Sequence, residues 1–282
     1  MMNKITIGCA NIGYDYGIDS KKINSKEIRK IFNFCNEKKI RFFDTADSYE
    51  NSYKILKTNS YNIELDTKIL INNKWLNYDF CERHMIDLKK KINEKKIDTL
   101  YIHNPDFLLK KNSKNIVNNL KKLKKNRYYK KLGISIYDFE TFFKNFRNFK
   151  FDVVQCPLNI FDQRLIKGEY LKKFKKLKLK VHIRSIFLQG LLINKKFKES
   201  VKFKKYKKLL NDYFLYLKNK KIKPLDLCLN YIFKHKNLDK IIIGINSKNQ
   251  LDEIVNFKQT SFNSYDQFDY SRKKELIDPR RW

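Results

Sequence analysis

Arg41-Phe42-Phe43-Asp44, Ile63-Glu64-Leu65-Asp66-Thr67-Lys68 and Thr99-Leu100-Tyr101-Ile102-His103 are short apolar runs that each end on a polar or charged residue. Between the second and third lies Asp79–Lys95, where Phe80, Met85, Leu88 and Ile92 keep a helical spacing. The same alternation continues in both directions. Ile5–Gly8 precedes a helical stretch at Ser25–Lys38, and Phe42–Asp44 precedes Ser52–Thr58. Thr99–His103 precedes Asn115–Lys125, Leu132–Ser135 precedes Phe139–Phe146, and Val153–Pro157 precedes Tyr170–Leu177. Val181–Ser185 precedes a long loop and Phe203–Leu217, and Ile241–Gly244 precedes Asn249–Phe257. A further apolar stretch, Leu225–Phe233, stands before the last strand.

Regular βα alternation calls for an α/β architecture with a parallel sheet. Eight such pairs in 282 residues favour a closed (β/α)8 TIM barrel over an open doubly wound sheet. An open dinucleotide fold begins with G-x-G-x-x-G after its first strand. Here that loop reads Gly8-Cys9-Ala10-Asn11-Ile12-Gly13, and no Walker loop follows elsewhere. No Pro/Gly/Ser linker divides the chain. Residues 1–282 are expected to form one domain, with 258–282 as a tail packed back on the barrel.

Composition narrows the function classes. With 42% hydrophobic and 15% aromatic residues the chain can bury a large core, which argues against disorder. No run of about 18 apolar residues supports a membrane span, and the N-terminus lacks the pattern of a secretory signal. The five cysteines are scattered and never spaced C-x-x-C. Buried free thiols in a reducing cytoplasm are therefore expected, with no disulfide framework or metal site. The formal charge of +33 taken alone suggests a nucleic-acid partner. The basic residues are mostly lysines spread over almost every segment, as in Lys172–Lys180. That distribution reads as solvated helix faces and a chain-wide drift in residue usage, so nucleic acid is not the expected partner.

In a barrel, ligands meet the C-terminal ends of the strands. Asp44, Lys68 and His103 end consecutive strands, and Tyr49 lies in the loop after the first of them. A free tyrosine titrates near 10 and is a poor acid at neutral pH. A nearby ammonium favours the phenolate, so Lys68 is expected to lower the Tyr49 pKa while Asp44 orients the lysine. His103 can donate a hydrogen bond to a substrate oxygen. Such a set can deliver a proton to a carbonyl oxygen as charge develops there. It supplies no hydride, so a cofactor must.

Phe43-Asp44-Thr45-Ala46-Asp47-Ser48-Tyr49, Thr67-Lys68 and Tyr101-Ile102-His103-Asn104-Pro105-Asp106 resemble the signatures of the aldo-keto reductases. So do Leu132-Gly133-Ile134-Ser135, Val153-Val154-Gln155-Cys156-Pro157-Leu158-Asn159, the Arg184–Leu192 segment, Ile243-Gly244-Ile245-Asn246-Ser247 and the Asp-Pro-Arg terminus. The resemblance spans the chain in order. It implies a nicotinamide cofactor and a catalytic tetrad of Asp44, Tyr49, Lys68 and His103, with Tyr49 as the general acid. It also implies that Ser135 and Gln155 hold the nicotinamide carboxamide and that Arg184, Ser185, Phe187, Gln189 and Gly190 border the pyrophosphate. Gly244, Asn246, Ser247, Lys248 and Gln250 would then lie toward the adenosine ribose. Departures from the family pattern fall at Glu50-Asn51, at Ile136 in place of an asparagine, and at Asn246, where a basic residue for a 2′-phosphate is common. Lys248 and the positive surface favour NADPH on electrostatic grounds, with NADH as the alternative. The substrate is expected to be a small carbonyl compound, and the Phe187-Leu188-Gln189-Gly190 wording of the loop suggests a sugar-derived one. The rival reading is a barrel that only binds cofactor or nucleic acid, as a sensor or regulatory subunit.

Overall fold

The structure is a computed structural model and describes residues 2–12, 17–18, 23–49, 51–59, 62–260, 262 and 264–282. Eight parallel strands close into a (β/α)8 barrel in sequence order. They are β1 Ile5–Gly8, β2 Phe42–Asp44, β3 Glu64–Ile69, β4 Lys96–Ile102, β5 Lys131–Ser135, β6 Val153–Pro157, β7 Lys180–Arg184 and β8 Lys240–Gly244. Closure is made by β1 on β8, in the register Ile5↔Ile241 to Gly8↔Gly244. Most strand residues are buried, which is why the strands read as apolar runs.

The connecting helices begin where the sequence supplies a cap. Asn24 accepts from the Glu27 amide and starts Ser25–Glu37. Asn77 accepts from the Phe80 amide and starts Tyr78–Lys91. Each satisfies an amide that the helix itself leaves without a partner. The expected helix Phe139–Phe146 is one α turn, Phe139–Thr141, running into a π turn, Phe142–Phe146. Its phenylalanines pack on Tyr170 and Phe174 of the helix Tyr170–Lys176. Leu225–Phe233 lies within a helix, Pro224–Phe233, that leads to β8.

Strand β4 begins three residues earlier than its apolar run, because Lys96, Ile97 and Thr99 pair with Glu64, Leu65 and Asp66 across a bulge. Asp98 is tolerated there by its partners. Lys131 and Lys240 both donate to its carboxylate. Lys240 also donates to Asp66 at 2.8 Å, and the Tyr101 hydroxyl and His182 Nδ1 share a 2.5 Å hydrogen bond. Asp66–Lys240 and Tyr101–His182 join strands that are not neighbours in the sheet, so both contacts cross the barrel interior. Beneath the site the core is therefore partly ionic, and it holds because each charge is paired.

The C-terminal segment packs on the barrel. The Tyr270 amide donates to the Phe161 carbonyl, and Gln163 reaches the Tyr265 carbonyl. The Trp282 ring meets Phe203 edge-on. All five cysteines are buried and unpaired. Among the described residues no helix is long and apolar enough to cross a membrane, and no cluster of His, Cys, Asp or Glu is arranged to hold a metal.

Candidate active site

Register places the first three groups. Asp44 pairs with Asp66, and Lys68 lies two residues beyond Asp66 on β3. Lys68 in turn pairs with Tyr101, and His103 lies two residues beyond Tyr101. Side chains two apart in a strand share a face, so Asp44 and Lys68 point inward and His103 continues the same line at the rim. Tyr49 is delivered by a braced turn. Its amide donates to the Ala46 carbonyl, and its own carbonyl accepts from both the amide and the hydroxyl of Ser52.

Lys68 and Asp44 form a buried ion pair. Lys68 Nζ also donates to the Thr45 carbonyl at 3.0 Å, and the other Asp44 oxygen accepts from Gln155 Nε2 at 2.8 Å. Lys68 Nζ stands 5.7 Å from the centre of the Tyr49 ring. The Tyr49 and His103 rings meet edge-on with centroids 6.4 Å apart. Phenol, imidazole, ammonium and carboxylate therefore converge.

Protein atoms crowd Tyr49 although part of its surface opens to the cavity. That burial pushes the phenol pKa well up, the Asp44 carboxylate adds to it, and Arg184 pulls the other way. The expected net lowering by Lys68 does not emerge, because burial dominates and the cation that opposes it is Arg184. Tyr49 is thus a neutral phenol. Burial lowers the His103 pKa to about 4, helped by Lys68 and Arg184, so its imidazole is neutral at pH 7. His103 Nδ1 is buried with no hydrogen-bond partner, an unusual state for a ring nitrogen.

A cavity of about 400 Å³ opens at this rim. Its walls include Asp44, Tyr49, Lys68 and His103, then Ser135, Arg184, Ser185, Phe187, Gln189 and Gly190, and finally Gly244, Asn246 and Gln250. Three sequence-predicted residues are not among them. Gln155 lies fully buried below, braced on Asp44. Ser247 caps the helix Lys248–Val255. Lys248 pairs with Asp252 at 2.7 Å. Glu50 lies outside the described residues.

The β7 loop carries backbone strain at the cavity wall. Ser185, Leu188 and Gln189 have φ of 61°, 47° and 53°. Each left-handed non-glycine residue costs roughly 1–3 kcal/mol, and such strain collects at ligand clamps.

Two contributors were missed in the sequence, Tyr137 and Arg280. The Tyr137 ring is sandwiched between the Arg184 guanidinium at 3.9 Å and the Arg280 guanidinium at 3.7 Å. Tyr137 lines both the first cavity and a second one of about 390 Å³, which shares Tyr49 and His103 and adds Asp106, Asp138, Thr141 and Arg280. Tyr137 stands two residues past Ser135, which is the one sequence signal that could have pointed to it. Arg280 belongs to the Asp-Pro-Arg terminus that carries part of the family resemblance, but that resemblance assigned it no place in the site.

The sequence profile of the Aldo/keto reductase family matches residues 4–275. The chain belongs to the aldo-keto reductase family. It is an oxidoreductase of that kind. Among solved structures it is similar to the aldo-keto reductase AKR11C1 from Bacillus halodurans in its holo form, at a TM-score of 0.69 and 18% identity over 99% of this chain and 95% of that one. It is also similar to the glycerol dehydrogenase AKR11B4 from Gluconobacter oxydans, at a TM-score of 0.68 and 15% identity over 98% and 92% of the two chains. At such identity these likenesses speak for the fold. Comparison with curated proteins finds no sequence match.

Proposed function

We propose that this aldo-keto reductase uses a nicotinamide dinucleotide to interconvert an aldehyde or ketone with its alcohol, with Tyr49 as the proton donor. The observation that carries the reading is the convergence of Tyr49, His103 and the buried Lys68–Asp44 pair on one wall of a cavity that continues to the loop after β8. The residues present fit such a cofactor. His103 and the left-handed loop residues Ser185 and Gln189 all line the cavity. Ser135, Arg184, Ser185, Phe187, Gln189, Gly190, Gly244, Asn246 and Gln250 would hold it.

The bound nucleotide supplies the hydride, and the chain's own residues manage the carbonyl oxygen. Neutral His103 offers one N–H to orient that oxygen. Neutral Tyr49 retains its proton until charge builds on the oxygen, then transfers it. The nearby Lys68 cation stabilises the phenolate left behind. Asp44 fixes the lysine, with Gln155 and Thr45 fixing that pair.

The second cavity is the substrate side of this reading. Its mixture of carboxylates, hydroxyls and a guanidinium suits a hydroxylated, sugar-like carbonyl compound. The buried unpaired thiols support a reducing compartment such as the cytoplasm.

The test is oxidation of NADH and NADPH by the purified protein with a panel of aldehydes, ketones and sugars, alongside Tyr49→Phe. Turnover that survives Tyr49→Phe undiminished refutes the assignment of the acid. A protein that binds nucleotide yet reduces none of the panel refutes the reaction.

A further inference from the structure

We infer that this site selects the nucleotide that lacks a 2′-phosphate, taking NADH in preference to NADPH, and that Glu27 is a specificity-determining residue. The inference rests on the reading of the cavity as a nicotinamide dinucleotide site and deepens it.

Among the described residues, the cations lining the cavity are Lys68 and Arg184. Both are committed at the tetrad end, Lys68 to Asp44 and Arg184 to the Tyr137 ring. With the nicotinamide at the tetrad, the adenosine half extends toward β8. There the polar side chains of the lining are Asn11, Asn246 and Gln250, three neutral amides. Asn246 Oδ1 accepts from Asn11, and Gln250 Oε1 accepts from the Asn246 amide at 2.8 Å. Asn246 and Gln250 keep their NH₂ groups to offer, which suits a hydroxyl oxygen and brings no charge to a phosphate.

The positive charge expected from the sequence is spent elsewhere. Lys248 Nζ is paired with Asp252 at 2.7 Å and rests 4.9 Å over the Phe34 ring. The first turn of the helix Lys248–Val255, where an anion would otherwise find free amides, already holds internal acceptors. The Lys248 amide donates to Glu27 Oε1 at 2.7 Å, and the Gln250 amide donates to Ser247 Oγ. The other Glu27 oxygen is 3.6 Å from Lys30, an exposed and weakly held partner. Glu27 therefore occupies the anion position with a carboxylate of its own. Glu27 does not itself line the cavity, but its carboxylate holds the amide two residues from Gln250, which does. A 2′-phosphate there meets like charge nearby, and among the described residues no cation lining the cavity is uncommitted to offset it.

The experiment is titration of the purified, unmodified protein with NADH and with NADPH, read by nucleotide fluorescence at low and at physiological ionic strength. NADH is expected to bind at least about tenfold more tightly at about 0.15 M salt, where surface charge is screened. Glu27→Gln keeps an oxygen acceptor for the Lys248 amide and removes the charge. It is expected to narrow the NADPH-to-NADH ratio about tenfold, mainly by tightening NADPH. Equal or tighter binding of NADPH by the native protein overturns the inference while leaving the cofactor reading intact. An unchanged ratio in a folded Glu27→Gln variant removes Glu27 from it. Binding of neither nucleotide overturns the cofactor reading and the inference together.

Discussion

Lys68→Met probes the ion pair on which the site is built. Lys68 and Asp44 are 2% and 4% exposed, so neither charge has water to fall back on. The methionine retains much of the volume but leaves the Asp44 carboxylate with a single side-chain partner, Gln155 Nε2 at 2.8 Å. It also frees the Thr45 carbonyl, which accepts from the ammonium at 3.0 Å. Stranding one member of a buried pair costs about 3–5 kcal/mol, a large fraction of the roughly 5–15 kcal/mol that holds a domain together. Replacing both members removes the uncompensated charge. Lys68→Met with Asp44→Asn should therefore be more stable than Lys68→Met alone by about 2 kcal/mol or more, although the double variant lacks more of the native site. Urea denaturation of the native protein, the two single variants and the double variant gives the cycle. Losses that simply add, or a Lys68→Met protein within about 1 kcal/mol of native, would show that the pair is not electrostatically coupled as the geometry requires.

Tyr49→Phe should lower turnover by about 10²–10⁴ with nucleotide affinity nearly unchanged, as steady-state kinetics and fluorescence titration would show. His103 is neutral in the fold down to about pH 4 but titrates near 6.5 in the unfolded chain. Its depressed value means that stability present above about pH 6.5 is lost as pH falls through 4; His103→Gln should flatten part of that decline in denaturation curves taken across the range. Gly133→Ala would place a Cβ 2.6 Å from Cε1 of Tyr101 and 3.0 Å from Cγ2 of Thr99. Thermal denaturation should show a loss of about 1–3 kcal/mol from overpacking, and an unaffected midpoint would mean that Tyr101 moves freely despite its bond to His182.

The sequence by itself determined the barrel and the order of its parts. Each strand buried on both faces must be a short apolar run, and each helix must show a stripe, so eight repeats of that pattern are legible one residue at a time. It also determined Asp44, Lys68 and His103 as a group, because strand ends of a parallel barrel share one rim and a period of two fixes which face they take. Strand β4 shows the limit of that legibility. Lys96 and Asp98 broke the apolar pattern, and only Lys131 and Lys240, brought from β5 and β8, made Asp98 acceptable inside. The same holds for the charges near the ligand. Lys248 read as a free cation, yet Asp252 neutralises it and Glu27, 221 residues away in the chain, takes the amide beside it. Tyr137 acquired its place from Arg184 and Arg280, and Tyr49 its raised pKa from burial. Periodicity is a local property that a chain carries in its own order. Desolvation and charge pairing depend on which distant groups arrive at the same point, and that is decided when the barrel closes.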